Sequence, residues 1–202
     1  MLNKPLLPTA YLAPISYYAI LLQQADCNIE HHEHFIKQSV RNRCEIYGAN
    51  GKLRLTIPKQ RQGSSKTIIT EIKISYKDRW QKEHWNAIIS TYNSSPFFEY
   101  YEDGFRTVLM KRHKLLIELD LQLMSLILKI LDIEVDLSIT SEYKEEFDGL
   151  DLREDFTPNT NGADKGAFNH YTQVFEDRHG FLPNLSIADL IFNQGPRSRD
   201  YL

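Results

Sequence analysis

Glu30 to Arg43 reads Glu-His-His-Glu-His-Phe-Ile-Lys-Gln-Ser-Val-Arg-Asn-Arg, so two acids, three histidines, a lysine and an Arg-Asn-Arg triplet fall within one short run. Arginine offers a planar, two-pronged set of donors that fits a carboxylate or a phosphate. Lys37, Arg41 and Arg43, with Asn42 as a neutral donor, therefore read in one of two ways. They form an anion clamp, or they form an internal ion network with Glu30, Glu33 and nearby acids. Glu30 and Glu33 are the candidate general bases, but cations beside them would lower their pKa and favour an orienting role. If the strand continued through Glu30–His34, His32 and His34 would share a face, and His-x-His on a strand can hold a divalent ion. Histidines in polar runs are more commonly just solvated, and no metal site is expected.

A second group lies elsewhere in the chain. Trp80 and His84 are four residues apart on an expected helix and could line a cleft, with His84 as a further acid–base candidate. Tyr11 is expected at the end of the first strand, where open α/β sheets bind ligands, and could stack on or hydrogen-bond a substrate. Packing in the core is the alternative for both. No Gly-x-Ser-x-Gly, Walker loop or Gly-x-Gly-x-x-Gly occurs.

The elements that must position these residues follow from patterning. Leu6–Leu12 reads as a strand, Pro14 suits a helix start, Ile15–Gln24 as that helix and Cys27–Glu30 as a second strand, which together make a parallel βαβ unit. Asn50-Gly51 is a hairpin turn between Cys44–Tyr47 and Leu53–Ile57. Ile72 and Ile74 alternate with polar neighbours as in a strand. Trp85, Ile88, Ile89 and Tyr92 mark one helix face, Phe97–Met110 reads as the next helix, and Leu115–Leu131 as a central one with a wide apolar stripe. Glu134–Ile139 alternates like a last strand. Ser186-x-x-Asp189 opens a short helix, Ile187–Asn193.

The expected fold is α/β, a single domain with a mixed, partly parallel sheet flanked by helices. Residues 1–140 form the core, 141–167 an acidic loop expected to be mobile, and 168–202 a helical segment docked back on the core. A chain of 202 residues with 42% apolar content can bury such a core. A formal charge of −3 shows none of the basic excess of a nucleic-acid or membrane-surface binder. Glu118, Asp120 and Lys129 in the longest apolar helix argue against a membrane span. Cys27 and Cys44 fit no metal or redox spacing and are expected to be reduced thiols. No signal peptide is expected, and the expected location is the cytoplasm.

Several segments in order resemble the WbqC-like proteins of bacteria. They are Tyr11-Leu12-Ala13-Pro14-Ile15-Ser16-Tyr17-Tyr18, Ala25-Asp26, Lys37-x-x-x-Arg41-Asn42-Arg43, Asn50-Gly51, Ile57-Pro58, Trp80, His84-Trp85, Tyr92, Phe97-Phe98, Gln173-Val174-Phe175-Glu176 and His179-Gly180-Phe181-Leu182-Pro183-Asn184-Leu185-Ser186. The family often has Gln-Pro ahead of the tyrosine, where this chain has Pro8-Thr9. It also commonly has an Asp-Asp pair before the lysine, where this chain has Glu30, His31, His32 and Glu33. The resemblance implies a role in surface-polysaccharide biosynthesis of the O-antigen type. By association it suggests a transferase that moves an acyl or aminoacyl group to an amino-sugar intermediate. A sugar or nucleotide-sugar ligand and an acyl carrier are the partners so implied, and no cofactor is. The alternative is a non-catalytic binding or scaffold protein of the same pathway. In that case residues 142–155 and the aromatics Tyr100, Tyr101 and Phe105 would face a partner.

Overall fold

In the computed structural model, which describes residues 4–61, 66–156 and 168–202, strand β1 is Pro5–Pro8. Leu6 and Leu7 are both buried, as a strand covered on two faces requires. Prolines stand at its two ends, where a missing N–H does least harm to the ladder. The strand stops four residues short of the expected Leu12. The chain turns there instead, and Leu12 takes a left-handed φ of 42°. Helix α1 (Ile15–Leu22) starts after Pro14, and β2 (Asp26–Glu30) returns parallel to β1, with Leu7 beside Ile29. β5 (Asp136–Ile139) pairs with β2, and β6 (Leu150–Asp151) pairs with the other side of β1.

The order of this parallel sheet is β5-β2-β1-β6. The chain therefore builds outward from β1 in one direction and then crosses to the opposite side. Such a reversal leaves a crevice at the carboxyl ends of the strands. The antiparallel pair stands apart as its own two-stranded sheet, β3 (Arg43–Gly48) with β4 (Gly51–Thr56). Gly51, at φ 98°, makes the turn. The fold is thus α/β and a single domain, with its parallel and antiparallel parts in separate sheets.

Three helices pack beside the sheets: α2 (Trp80–Tyr92), α3 (Phe98–Met110) and α4 (Leu116–Ile130). The Glu118 carboxylate accepts from the N–H groups of Lys114 and Leu115 and so caps α4. After the short α5 (Glu176–His179), helix α6 (Ile187–Gln194) inserts among the others, and all eight of its residues are buried. Phe192 meets Tyr92, Phe98 and Phe105 with ring centroids 5.0–5.1 Å apart. Burying a side chain of this kind contributes about 1.5–3 kcal/mol.

The structure differs from expectation in four places. Ile72 and Ile74 are buried, but by a 3-10 turn (Ile69–Glu71) and isolated bridges to Leu115 and Lys59 rather than by a strand. β6 forms inside the segment expected to be a loop. Leu53, whose alternation with the polar Lys52 and Arg54 places it on the expected inner face of the hairpin, is 38% exposed, and Phe105 belongs to the core rather than the surface. Residues 62–65, in the polar Gln-Arg-Gln-Gly-Ser-Ser-Lys run at 60–66 that reads as a loop, and 157–167 of the expected acidic loop lie outside the described residues. Among the described residues no helix is long and apolar enough to cross a membrane.

Candidate functional site

The charged run that dominates the sequence is split by the fold into an internal brace and an open cleft. Arg41 has no exposed surface and grips Glu33 with two hydrogen bonds, Nε to Oε1 at 2.6 Å and Nη2 to Oε2 at 2.5 Å. Burial pushes the Glu33 pKa up, against the opposing pull of Arg41. Glu30 is equally sequestered. It accepts from the His32 N–H at 2.7 Å, the Thr140 hydroxyl at 2.8 Å and Arg153 Nη1 at 3.2 Å. Arg153 in turn chelates Asp151, and its backbone carbonyl receives Arg41 Nη2. Two ion pairs thus tie the end of β2 to β6 and to the segment before β3. Asn42 also serves the framework, donating from Nδ2 to the Ile57 carbonyl at 3.0 Å. Lys37 is exposed on the surface.

Tyr11, His84 and Trp80 meet in the core. The Tyr11 hydroxyl lies 2.9 Å from His84 Nδ1, and the Trp80 ring stands edge-on to the imidazole at 5.1 Å. Burial lowers the His84 pKa to about 4, so the ring is neutral near pH 7. Strand β2 ends at Glu30, so His32 and His34 do not share a strand face. Among the described residues no group of three His, Cys, Asp or Glu side chains could hold a metal ion.

Arg43 is placed differently. It opens β3, is only partly buried, and lines a cleft of about 220 Å³ between the β1–α1 turn, the hairpin and the tail. Gln38, Ser39, Glu45, Arg54, Asn184 and Ser186 complete the polar wall, with Leu12, Val40 and Cys44 beneath. Arg43 Nε is shielded from solvent and has no hydrogen-bond partner among the described residues. Burial, together with the charge of Arg54, lowers the Arg43 pKa. Its guanidinium is thus partly desolvated without a carboxylate to compensate.

The Cys44 thiol, 6% exposed, is pushed up by burial and is a poor nucleophile. Burial would raise Glu45 as well, but Arg54 at 2.7 Å and Lys52 at 3.4 Å hold it below the usual carboxylate range. Three cleft residues, Leu12 (φ 42°), Gln38 (φ 63°) and Asn184 (φ 55°), take left-handed backbone conformations without being glycine. For Leu12 and Gln38 this costs about 1–2 kcal/mol each, whereas asparagine tolerates it, and strain of this kind gathers where a site is being shaped. A second cleft of about 230 Å³ lies against the sheet at Asn28, Glu30, Thr140 and Phe147. Its buried charge, Glu30, is already paired with Arg153.

Of the residues singled out in the sequence, Glu30, Glu33 and Arg41 meet in the brace, Tyr11, Trp80 and His84 meet in the core, and Arg43 alone faces the first cleft. Sequence reasoning missed Gln38, Ser39, Glu45, Arg54, Asn184 and Ser186. Two of these carried a readable signal: Glu45 and Arg54 lie directly opposite each other across the hairpin, on its wet face. Asn184 and Ser186 sit in the tail just before and at the start of α6, and only the fold brings that segment to Arg43.

Residues 9–165 match the WbqC-like protein family. The chain is also similar to the uncharacterized protein Rv1507c of Mycobacterium tuberculosis (strain ATCC 25618 / H37Rv), with 26% identity over 196 residues, 83% of this chain and 83% of that protein. No solved structure matches it. The Tyr11-Leu12 turn, the Arg41-Asn42-Arg43 triplet and the Asn50-Gly51 hairpin all lie within the matched stretch, and the chain belongs to the WbqC-like protein family.

Proposed function

We propose that this protein binds an anionic sugar-type intermediate of surface-glycan synthesis in the Arg43 cleft. The observation that carries the reading is the unpartnered, partly desolvated Arg43 guanidinium in a polar cleft. A partly desolvated cation without a counter-ion is disfavoured, and an anionic ligand group supplies the missing acceptor. Gln38 brings an exposed side-chain amide suited to the neutral part of a sugar, while Ser39, Asn184 and Ser186 are held in the cleft wall by hydrogen bonds to Ile36, Ser16 and Ala188. The family resemblance points to transfer of an acyl or aminoacyl group onto an amino sugar as the reaction. Titration calorimetry with nucleotide sugars and acyl donors tests this. Arg43→Ala should abolish the binding heat, and Arg106→Ala, on the exposed face of α3, should keep it. Full retention of heat in Arg43→Ala refutes the assignment.

A specific observation favours a second reading, a non-catalytic binding protein of the same pathway. Among the described residues no group in the cleft is poised as a base or a nucleophile. Burial holds Cys44 in its thiol form, and Glu45 is held ionised in a pair with Arg54. Ligand heat without turnover of any donor–acceptor pair would select this reading over the first.

A further inference from the structure

The Arg43 cleft already contains one anion, and that anion belongs to the protein. Glu45 lines the cleft two residues from Arg43 on β3, opposite Arg54 on β4. Its Oε1 accepts from Arg54 Nη2 at 2.7 Å and its Oε2 from Lys52 Nζ at 3.4 Å. The Arg54 and Lys52 side chains are 58% and 48% exposed, so neither pair is locked in place by packing. Arg43 has no such partner among the described residues, and the nearby guanidinium of Arg54 adds repulsion.

We infer that Glu45 is an internal competitor for Arg54, and that the ligand group which displaces it is a phosphoryl dianion held between Arg43 and Arg54. This rests on the cleft being the anion site. The chemistry selects the phosphoryl group over a carboxylate. A ligand carboxylate would offer Arg54 the same single charge and two oxygens that Glu45 already gives it, so the exchange would gain nothing. A phosphoryl dianion has three oxygens and nearly two charges, enough to accept from both guanidinium groups at once. Glu45 is not stranded by the exchange, because Lys52 stays within reach of its second oxygen. Glu45 thereby sets the selectivity of the cleft, excluding anions that cannot outbid it for Arg54.

The experiment titrates the intact chain with inorganic phosphate, and with acetate in parallel, at matched ionic strength. The arginine Nε–H signals are followed by nitrogen-15 NMR. Phosphate should shift the Arg43 signal with saturation, and acetate should bind more weakly. Glu45→Gln should tighten phosphate binding by roughly two- to five-fold, the strength of an exposed ion pair. Adding Arg54→Ala to Glu45→Gln should remove that gain. Both positions can change without opening the core.

If phosphate binds through Arg43 but Glu45→Gln leaves its affinity unchanged or lower, the competition is wrong and the cleft reading stands. Acetate binding as tightly as phosphate overturns the phosphoryl assignment. If neither anion moves the Arg43 signal in the wild type or in Glu45→Gln, the cleft reading falls as well.

Discussion

The sharpest division in this molecule is between Arg41, which braces the fold, and Arg43, which faces the cleft, and stability measurements can test it. Arg41 is fully buried and its carboxylate partner Glu33 is 4% exposed. Replacing Arg41 with Met leaves the Glu33 carboxylate buried without its counter-ion. Breaking such a pair costs about 3–5 kcal/mol. For a chain of this size each kcal/mol moves Tm by about 2–4 °C, so Arg41→Met should lower Tm by about 6–20 °C. Glu33→Leu strands Arg41 instead and should cost a similar amount. The double variant removes both charges and should recover most of the loss. It should fall short of wild type by about 1 kcal/mol, because the hydrogen bond from Arg41 to the Arg153 carbonyl is also gone. Urea and thermal unfolding of the four proteins give the coupling energy directly. In the same four proteins, phosphate binding to the cleft should be unchanged at temperatures where each is folded. A small stability cost for Arg41→Met, together with loss of anion binding, would show that Arg41 serves the ligand and would refute the division.

Two further outcomes follow from buried ionisable groups. Burial lowers the pKa of both His31 and His84 to about 4. The unfolded chain therefore binds more protons than the folded one between about pH 4 and 6.5, and stability should fall as pH falls through that window. His84→Gln should flatten part of this slope in Tm-versus-pH curves, and an unchanged slope would show that His84 is solvated. Asp120 on α4 has no exposed surface, and neither of its oxygens has a hydrogen-bond partner among the described residues. Burial raises its pKa well above the ordinary range, so its contribution is full below the unfolded carboxyl pKa and is lost as pH rises through the folded value. Asp120→Leu should stabilise the protein at neutral pH by about 1–3 kcal/mol, read by urea unfolding, and a loss of stability would reveal a partner for the carboxyl group.

The parts of this fold that are legible in the sequence are those whose signals are local. Asn50-Gly51 announces its hairpin because only a residue tolerant of positive φ can occupy the turn. The leucine spacing announces α4 because one helix face must be apolar. β6 is not legible: two residues, Leu150 and Asp151, carry no pattern, and they are a strand only because β1 offers them an open edge. Ile72 and Ile74 show the opposite failure, since their alternation reports burial and is equally met by a turn with single bridges. For the site, the run from Glu30 to Arg43 is plainly charged. Which of its side chains face inward is decided by Arg153 and Asp151, more than a hundred residues away. No local rule separates Arg41 from Arg43. The first finds a carboxylate eight residues back, and the second, at the start of β3, finds only Arg54.

The cleft is also built so that its walls cannot adapt much. Its three segments are sewn together by backbone hydrogen bonds: Tyr11 N–H to the Val40 carbonyl, Ile15 to Leu185, Ile187 to Ala13 and Ser186 to Glu45. Behind them, the buried Asp189 carboxylate accepts from Tyr92 at 2.8 Å, Tyr171 at 2.6 Å and Gln173 at 2.9 Å, and this fixes α6 against α2. The Tyr92 hydroxyl also receives the Tyr47 N–H, which locks β3 to the same point. Against so fixed a frame, the groups free to rearrange are the long side chains of Arg43, Arg54 and Lys52. On the proposed reading, anion binding here would be an exchange of ion-pair partners on a preformed surface. Its ordering cost falls on a few exposed rotamers rather than on the backbone.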